Sequence, residues 1–465
     1  MTVPDRSSRS EGVHRPAARS GGAAAHQRVD DLVADDDRRR EQIVKVFAEG
    51  FGALVDADEV AVRRKFRKMA VSPFAFYRGS ACLFYSDVVE LDDPWADERT
   101  GRVWIQGDLH AANFGTYVDA EGILLFDVND FDEAYLGHFT WDLLRLAASI
   151  GVLGFEKALS DGAIEQLQRS LASAYAEQVV AFAAGEHDDE FRLTLDNTEG
   201  AVHDALTAAR LRSRFELLGQ LTEVDGEDRR FLAGDGIRHL DDDERKLVLA
   251  SYQEYLQTIP EARRQQSISY DVKDVVGRTG FGIGSAGLPA YNLLVEGRTQ
   301  ALENDVVLSM KQGNVPALSR VVRDEAAEAY FHHQGHRTAV SQFALQANAD
   351  PWLGWCELDG VGQVVQELSP YEEDLDWETV DEVDEIEPLV VHLGHATAKI
   401  HCVSDATSEE DLVDFETEVA LAAVLEDRQQ EFGDWIAEVG GAYAGAVRDD
   451  HRRFVDAFRN GELGV

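Results

Sequence analysis

Apolar residues recur at helical spacing from Glu41 onward, with Ile43, Val46, Phe47 and Phe51 on one face. The pattern breaks at Val71, where Ser72-Pro73-Phe74-Ala75-Phe76-Tyr77-Arg78-Gly79 reads as a loop of aromatics around one cation. Arg78 fits a buried structural ion pair first and a substrate contact second. Val103, Trp104 and Ile105 predict a short strand. Phe114–Val118 and Ile123–Val128 flank Asp119-Ala120-Glu121-Gly122, a turn sequence, and so predict a hairpin. Trp141–Gly151 is strongly apolar and predicts a core helix, and residues 156–265 predict mostly helix with charged breaks. After Asp271 a glycine-rich turn separates two strands, and Val306–Lys311 alternates with period two. Helices are expected over about 320–347, short strands at Trp355–Leu358 and Gln363–Leu368, and helix again from about 378 to 460. The pattern contains no internal repeat and predicts an α+β fold.

Residues 1–40 are rich in Arg, Ser, Ala and Gly, lack aromatics and end in Asp35-Asp36-Asp37-Arg38-Arg39-Arg40, which predicts a disordered tail. The chain has 465 residues, enough for two to four domains and a large core without staples. Its 87 Asp+Glu against 44 Lys+Arg give a net charge of -43. That balance excludes a nucleic-acid partner, which needs surplus cations to displace phosphate counterions, and an anionic membrane surface for the same reason. Only eight residues are lysine (45, 65, 68, 157, 246, 273, 311 and 399). An acid-rich, lysine-poor surface suits either a halophilic interior or a merely acidic cytoplasm. The halophilic reading predicts unfolding on dialysis from molar salt into low salt, followed by circular dichroism; unchanged stability would refute it. Cys82, Cys356 and Cys402 are odd in number and widely spaced, which predicts no disulfide framework or thiolate zinc site, and reads as core residues in a reducing compartment. No stretch approaches the ~18 apolar residues of a membrane helix, and no signal h-region opens the chain, so a cytoplasmic location is expected.

Three stretches carry candidate chemistry. In Gly107-Asp108-Leu109-His110-Ala111-Ala112-Asn113, an Asp and an Asn five apart could place a base and a metal ligand on one loop, and the hairpin returns Phe126-Asp127-Val128-Asn129-Asp130-Phe131-Asp132-Glu133 to the same place. Phosphoryl transfer needs a base near the acceptor hydroxyl and hard oxygen ligands for Mg²⁺. A calcium loop starting at Asp127 fails on spacing, because Asp132 stands where Gly is needed and His138 where Glu is. His110 fits a loop residue held by backbone hydrogen bonds better than a metal ligand. The second stretch, Gly280-Phe281-Gly282-Ile283-Gly284-Ser285-Ala286-Gly287, runs on through Pro289 into a strand, not a helix. This disfavours a dinucleotide fingerprint and fits a lid over ATP phosphates, with Lys311 at the end of the next strand within reach of them. No Walker A motif is present. The third stretch, Gln363–Pro370, fits a hinge that holds adenine through the backbone of Glu367 and Leu368, or an ordinary strand end. Leu389–His401 reads as a core helix with no catalytic role for His401.

On these residues the chain resembles the protein-kinase-like superfamily, and more closely its aminoglycoside/choline phosphotransferase branch, whose members carry Gly-Asp-x-His-x-x-Asn and then an Asp followed by an aromatic. It is similar, over roughly residues 65–405, to the DUF2252 family, through Ser72–Gly79, Gly107–His110, Asn129–Glu133, Gly282–Gly287 and Lys311. The resemblance implies a two-lobe fold, ATP and Mg²⁺. It makes Asp108 the base, Asn113 and Asp130 metal ligands with Asp132 beside them, and Gly280, Gly282, Gly284, Ser285, Gly287 and Lys311 the phosphate contacts, with Glu325 or Glu328 as the partner of Lys311. Gln106 stands where the phosphotransferases have His, and Asp132 where kinases have Gly. The catalytic loop also precedes the glycine loop, which implies a circular permutation: an N-lobe at 271–369, and a C-lobe built from 41–270 together with the hinge and helices of 370–465. The activity implied is phosphoryl transfer to a hydroxyl of an unknown, small-molecule acceptor. A nucleotide-binding pseudokinase and an AMP transferase on the same fold are the alternatives.

Overall fold

The structure, a computed structural model, describes residues 19–259, 264, 270–278, 290–346, 348–405 and 412–465. Helices α1 (Arg19–Val33), α2 (Asp36–Met69), α3 (Pro73–Arg78) and α4 (Ala81–Val88) come first. Strand β1 (Val103–Ile105), the hairpin β2 (Phe114–Val118) and β3 (Leu124–Val128), and β4 (Tyr135–Gly137) follow, then helices α5 (Phe139–Glu156), α6 (Asp161–Ala183), α7 (Gly200–Arg210) and α8 (Arg214–Leu221). Next are β5 (Thr222–Asp225), β6 (Asp228–Phe231), β7 (Ile237–Arg238), α9 (Asp242–Thr258), β8 (Val272–Arg278), β9 (Ala290–Val295) and β10 (Val306–Gln312). Then α10 (Glu325–Tyr330) and α11 (Gln334–Gln346) precede β11 (Gly354–Leu358) and β12 (Val361–Glu367), and α12 (Val383–Cys402), α13 (Thr417–Leu425) and α14 (Gln429–Arg459) close the chain. The fold is mixed α+β, as the pattern predicts.

The apolar helix of the sequence is α5, buried on every face from Phe139 to Gly154, as a helix without a polar stripe must be. Around it one core joins residues from both ends of the chain: Phe47 and Phe66, Leu146 and Ile150, Leu393 and Ile400, Trp435 and Phe454. A second layer is the sheet β11-β12-β10-β9-β8-β7, antiparallel throughout. Period-two alternation sorts its side chains. Val306, Leu308 and Met310 pack with Tyr252 and Tyr255 of α9, while Val307 packs with Leu218 of α8 on the other face. That alternation turns Ser309 and Lys311 away from α9.

Four expectations change. The supposed tail is helical from Arg19, with Ala25 and Val29 buried in the main core; residues 1–18 lie outside the described residues. The sheet layer draws on residues before 271, because α8, β7 and α9 pack on or pair with the sheet. Residues 222–238, expected within a mostly helical stretch, hold three short strands. Cys356 and Cys402 are core residues, but Cys82 is only half-buried and lines a cavity. Among the described residues no helix is long and apolar enough to cross a membrane.

Candidate active site

The loop after β1 turns at Gly107, whose φ of +82° suits glycine. A Cβ there would meet the Glu133 carbonyl oxygen at 2.1 Å, so the two acidic loops touch where only hydrogen fits. The Asp142 carboxylate, one turn into α5, accepts the Gln106 N–H at 2.6 Å and the Gly107 N–H at 3.0 Å. His401 lies 3.3 Å from Asp142 and 2.9 Å from the Tyr175 hydroxyl, a supporting position consistent with the core helix expected there. Gln106 ties the loops: its Nε2 donates to the Asn129 and Asp130 carbonyls at 3.2 and 2.5 Å, and its Oε1 accepts the Asp108 N–H at 2.8 Å. The Asn113 side chain donates to the Asp108 carbonyl at 3.0 Å. His110 Nδ1 accepts the Ala112 N–H at 3.2 Å, and burial pushes its pKa well down, so it is a neutral loop residue.

Asp108 is gripped by Arg145, whose Nε donates at 2.7 Å. Arg145 is fully buried, stacked 4.4 Å from the Tyr77 ring centre, and donates to the Tyr77 carbonyl at 2.9 Å. Burial raises the Asp108 carboxyl to about 6; Arg145 opposes the rise and Asp130 adds to it. Asp130 adopts φ 55°, a left-handed conformation that Asp tolerates better than most residues. Its side chain opens onto the cleft although protein surrounds it, and that surrounding and Asp132 push its pKa up. Asp132 Oδ2 accepts from Lys311 Nζ at 3.0 Å, while its Oδ1 is buried without a partner among the described residues. Burial works against the Lys311 charge, but Asp132 and Asp130 outweigh it and hold the ammonium protonated. Arg337 of α11 fastens the acidic loop from behind, donating to the carbonyls of Asp132, Ala134 and Asn314 at 2.6, 2.7 and 2.9 Å.

Two cavities meet at this cluster. The larger, about 740 Å³, is lined by Asn113, Asp130, Asp132 and Lys311, by Val306, Gln366 and Glu367 of the sheet, and by Ser369 and Glu372. The smaller, about 480 Å³, contains Asp108, Glu133, Lys65 and Cys82. Arg78, Asn113, Asp130, Asp132 and Lys311 line both. The structure thus brings Asp108, Asn113, Asp130, Asp132 and Lys311 together from two distant stretches. Several site expectations change. Lys311 pairs with Asp132, whereas Glu325 and Glu328 are exposed on α10. Arg78 is exposed at the cavity junction and forms no ion pair with a described residue, because α3 ends there and carries it past the core. The Glu367 and Leu368 N–H groups are already donated, to Asp350 Oδ2 and the Val307 carbonyl, both at 2.8 Å, so they are not open to adenine. The Glu367 side chain is bound by Arg214 at 2.5 Å, and burial raises its carboxyl to about 7. Gly280, Gly282, Gly284, Ser285 and Gly287 lie outside the described residues. The flanking β8 and β9 pair antiparallel.

Sequence reasoning missed Arg145 and Asp142. Their signal was present: two charges inside a helix that is otherwise uncharged from Phe139 to Gly154, where an unpaired charge is too costly to keep. Among the described residues no three or more His, Cys, Asp or Glu side chains form a metal cage. Mg²⁺ does not ask for one: it binds through one or two carboxylates plus phosphate and water. Asp130, the partnerless oxygen of Asp132 and Asn113 fit that demand. The chain matches the family described as "Uncharacterized protein conserved in bacteria (DUF2252)" over residues 57–457. No curated protein and no solved structure matches it.

Proposed function

The chain belongs to the DUF2252 family, and from the geometry of its cleft we propose that it is an ATP-dependent phosphotransferase with a circularly permuted, kinase-like two-lobe fold. The observation that carries this reading is the junction of the two cavities. The residues that would hold phosphate and metal line both, while the candidate base Asp108 lines only the smaller one. A donor in the larger cavity and an acceptor in the smaller would therefore meet at Asp130, Asp132, Asn113 and Lys311. The sheet supports the reading: β8 and β9 flank the glycine segment, β10 carries Lys311, and α11 crosses before β11 and β12. The permutation is supported by α12, which sits near the chain's end yet places His401 against Asp142 beneath the catalytic loop.

In this mechanism Lys311 neutralises donor phosphate charge, and Asp130, Asp132 and Asn113 would hold Mg²⁺, which would offset phosphate charge in the transition state. Asp108 takes the proton of the acceptor hydroxyl as its oxygen bonds to the γ-phosphorus; the bond from that phosphorus to the β–γ bridging oxygen breaks and ADP departs. Arg145 holds the Asp108 carboxylate in place. The test is incubation with γ-labelled and α-labelled ATP in cell extract. Label transferred from the γ position alone is expected. Label from the α position would mean AMP transfer, and binding without either label would mean a regulatory nucleotide binder.

A further inference from the structure

In a chain of 87 acidic and 44 basic residues, cations without a carboxylate partner stand out. Three line the smaller cavity. Lys65 is 7 % exposed, lies 4.3 Å from the Phe51 ring centre, and forms no hydrogen bond or ion pair with a described residue. Arg78 is exposed at the cavity junction, again unpaired among the described residues. Among the described residues Arg320 donates only to a backbone carbonyl, that of Glu49, at 3.4 Å. A fourth positive feature is the start of α4, where Ala81 and Cys82 line the same cavity. Ser80 leaves that helix end uncapped, its hydroxyl donating back to the Tyr77 carbonyl at 3.2 Å. An uncapped helix start presents unsatisfied N–H groups and the positive end of the dipole.

Three of the four acids that line the cavity are already engaged. Asp108 is held by Arg145, Glu133 accepts the Ala317 N–H at 2.5 Å, and Asp132 faces Lys311 at the junction with Asp130 beside it. A buried ammonium without an ion pair is costly, and burial pushes the Lys65 pKa down, opposed by Cys82, Glu133 and Asp108. The cost is offset if the missing partner arrives with the substrate.

We infer that the smaller cavity takes an acceptor bearing an oxyanion, a carboxylate or phosphate group, beside the hydroxyl to be phosphorylated, with Lys65 and Arg78 as its receptors. This deepens the phosphotransferase reading and rests on it for the word acceptor, but the anion site itself can be measured without turnover.

The experiment titrates inorganic phosphate and, separately, glycerate into the nucleotide-free full chain by calorimetry. Binding of at least one is expected. Lys65→Met should weaken it by about tenfold or more, the loss of one charge-assisted contact. Lys65→Arg should largely restore it, and Arg214→Gln, at a cation that lines only the larger cavity, should leave it nearly unchanged. Phosphate binding the tighter points to phosphomonoester acceptors, glycerate the tighter to hydroxy acids. Lys65→Met replaces a buried ammonium by an apolar chain of similar length and should fold; Arg78→Gln is the second variant, with the same weakening expected. Loss on Arg214→Gln but not on Lys65→Met would put the anion in the larger cavity and overturn the inference, as would no heat from either probe. Mg-ATP binding is measured in parallel. If ATP fails to bind while Lys65-dependent anion binding remains, the phosphotransferase reading falls and the oxyanion site stands.

Discussion

Asp108→Asn is expected to lower γ-phosphoryl transfer by about 10²–10⁴-fold, the usual worth of a positioned general base, while Mg-ATP affinity stays close to that of the parent. The amide keeps an oxygen for Arg145, so the loop anchored by Asp142 and Gln106 should hold its shape. The pH profile separates a base from a structural anchor. The Asp108 carboxyl is raised to about 6, so the parent rate should fall as pH drops through that value and the base takes up a proton. Arg145 favours the charged carboxylate; Arg145→Met should therefore move the acid limb to higher pH. Glu133, raised to about 7 by burial and then by Asp108, titrates nearby. Glu133→Gln removes that group and should leave a limb at the Asp108 position. A full rate in Asp108→Asn, or an acid limb indifferent to Arg145, would refute the base assignment.

The sequence was legible where local rules decide the outcome. The hairpin around Asp119–Gly122 forms because Asp119 Oδ1 accepts the N–H groups of Glu121 and Ile123, both at 2.9 Å, and Gly122 takes φ +83°. The strand ending near Lys311 and the apolar helix from Trp141 likewise follow from period and composition. What sequence could not supply were pairings set by tertiary approach. Lys311 meets Asp132 across 179 positions, a choice no spacing rule can make, and the expected partners on α10 point to solvent. Strands β5 to β7 went unread because Asp228-Arg229-Arg230-Phe231 carries too few apolar residues to alternate, and β7 is two residues long. Arg78 was misjudged for a related reason: aromatic neighbours in sequence suggest burial, yet α3 turns Phe76 and Tyr77 inward and leaves Arg78 facing the cavities.

Residues 19–40 were misread because composition hides a buried ion pair, and this supplies the largest stability effect. Arg39 of α2 is 1 % exposed and donates to Asp87 at 2.7 and 2.6 Å and to Asp450 at 3.1, 3.1 and 2.6 Å; the Tyr443 hydroxyl adds a bond to Asp87 at 2.9 Å. The cluster pins α2 to α4 and α14. Arg39→Leu leaves two carboxylates facing each other in the core and is expected to cost about 3–5 kcal/mol, read as a lowered denaturant midpoint. Arg40→Leu, one residue on, removes a largely exposed pair with Glu462 and should cost under about 1 kcal/mol. The deficit of Arg39→Leu should depend on pH with a definite sign. Burial already raises the Asp450 carboxyl, with Arg39 its chief opponent, so losing Arg39 lifts it further. A folded-state carboxyl held above its unfolded value binds a proton that the unfolded chain does not, and stability then rises as pH falls. The gap between Arg39→Leu and the parent should therefore narrow from pH 8 to about pH 5. Equal losses in the two arginine variants, or a gap that widens in acid, would show that this part of the chain is not anchored in the core.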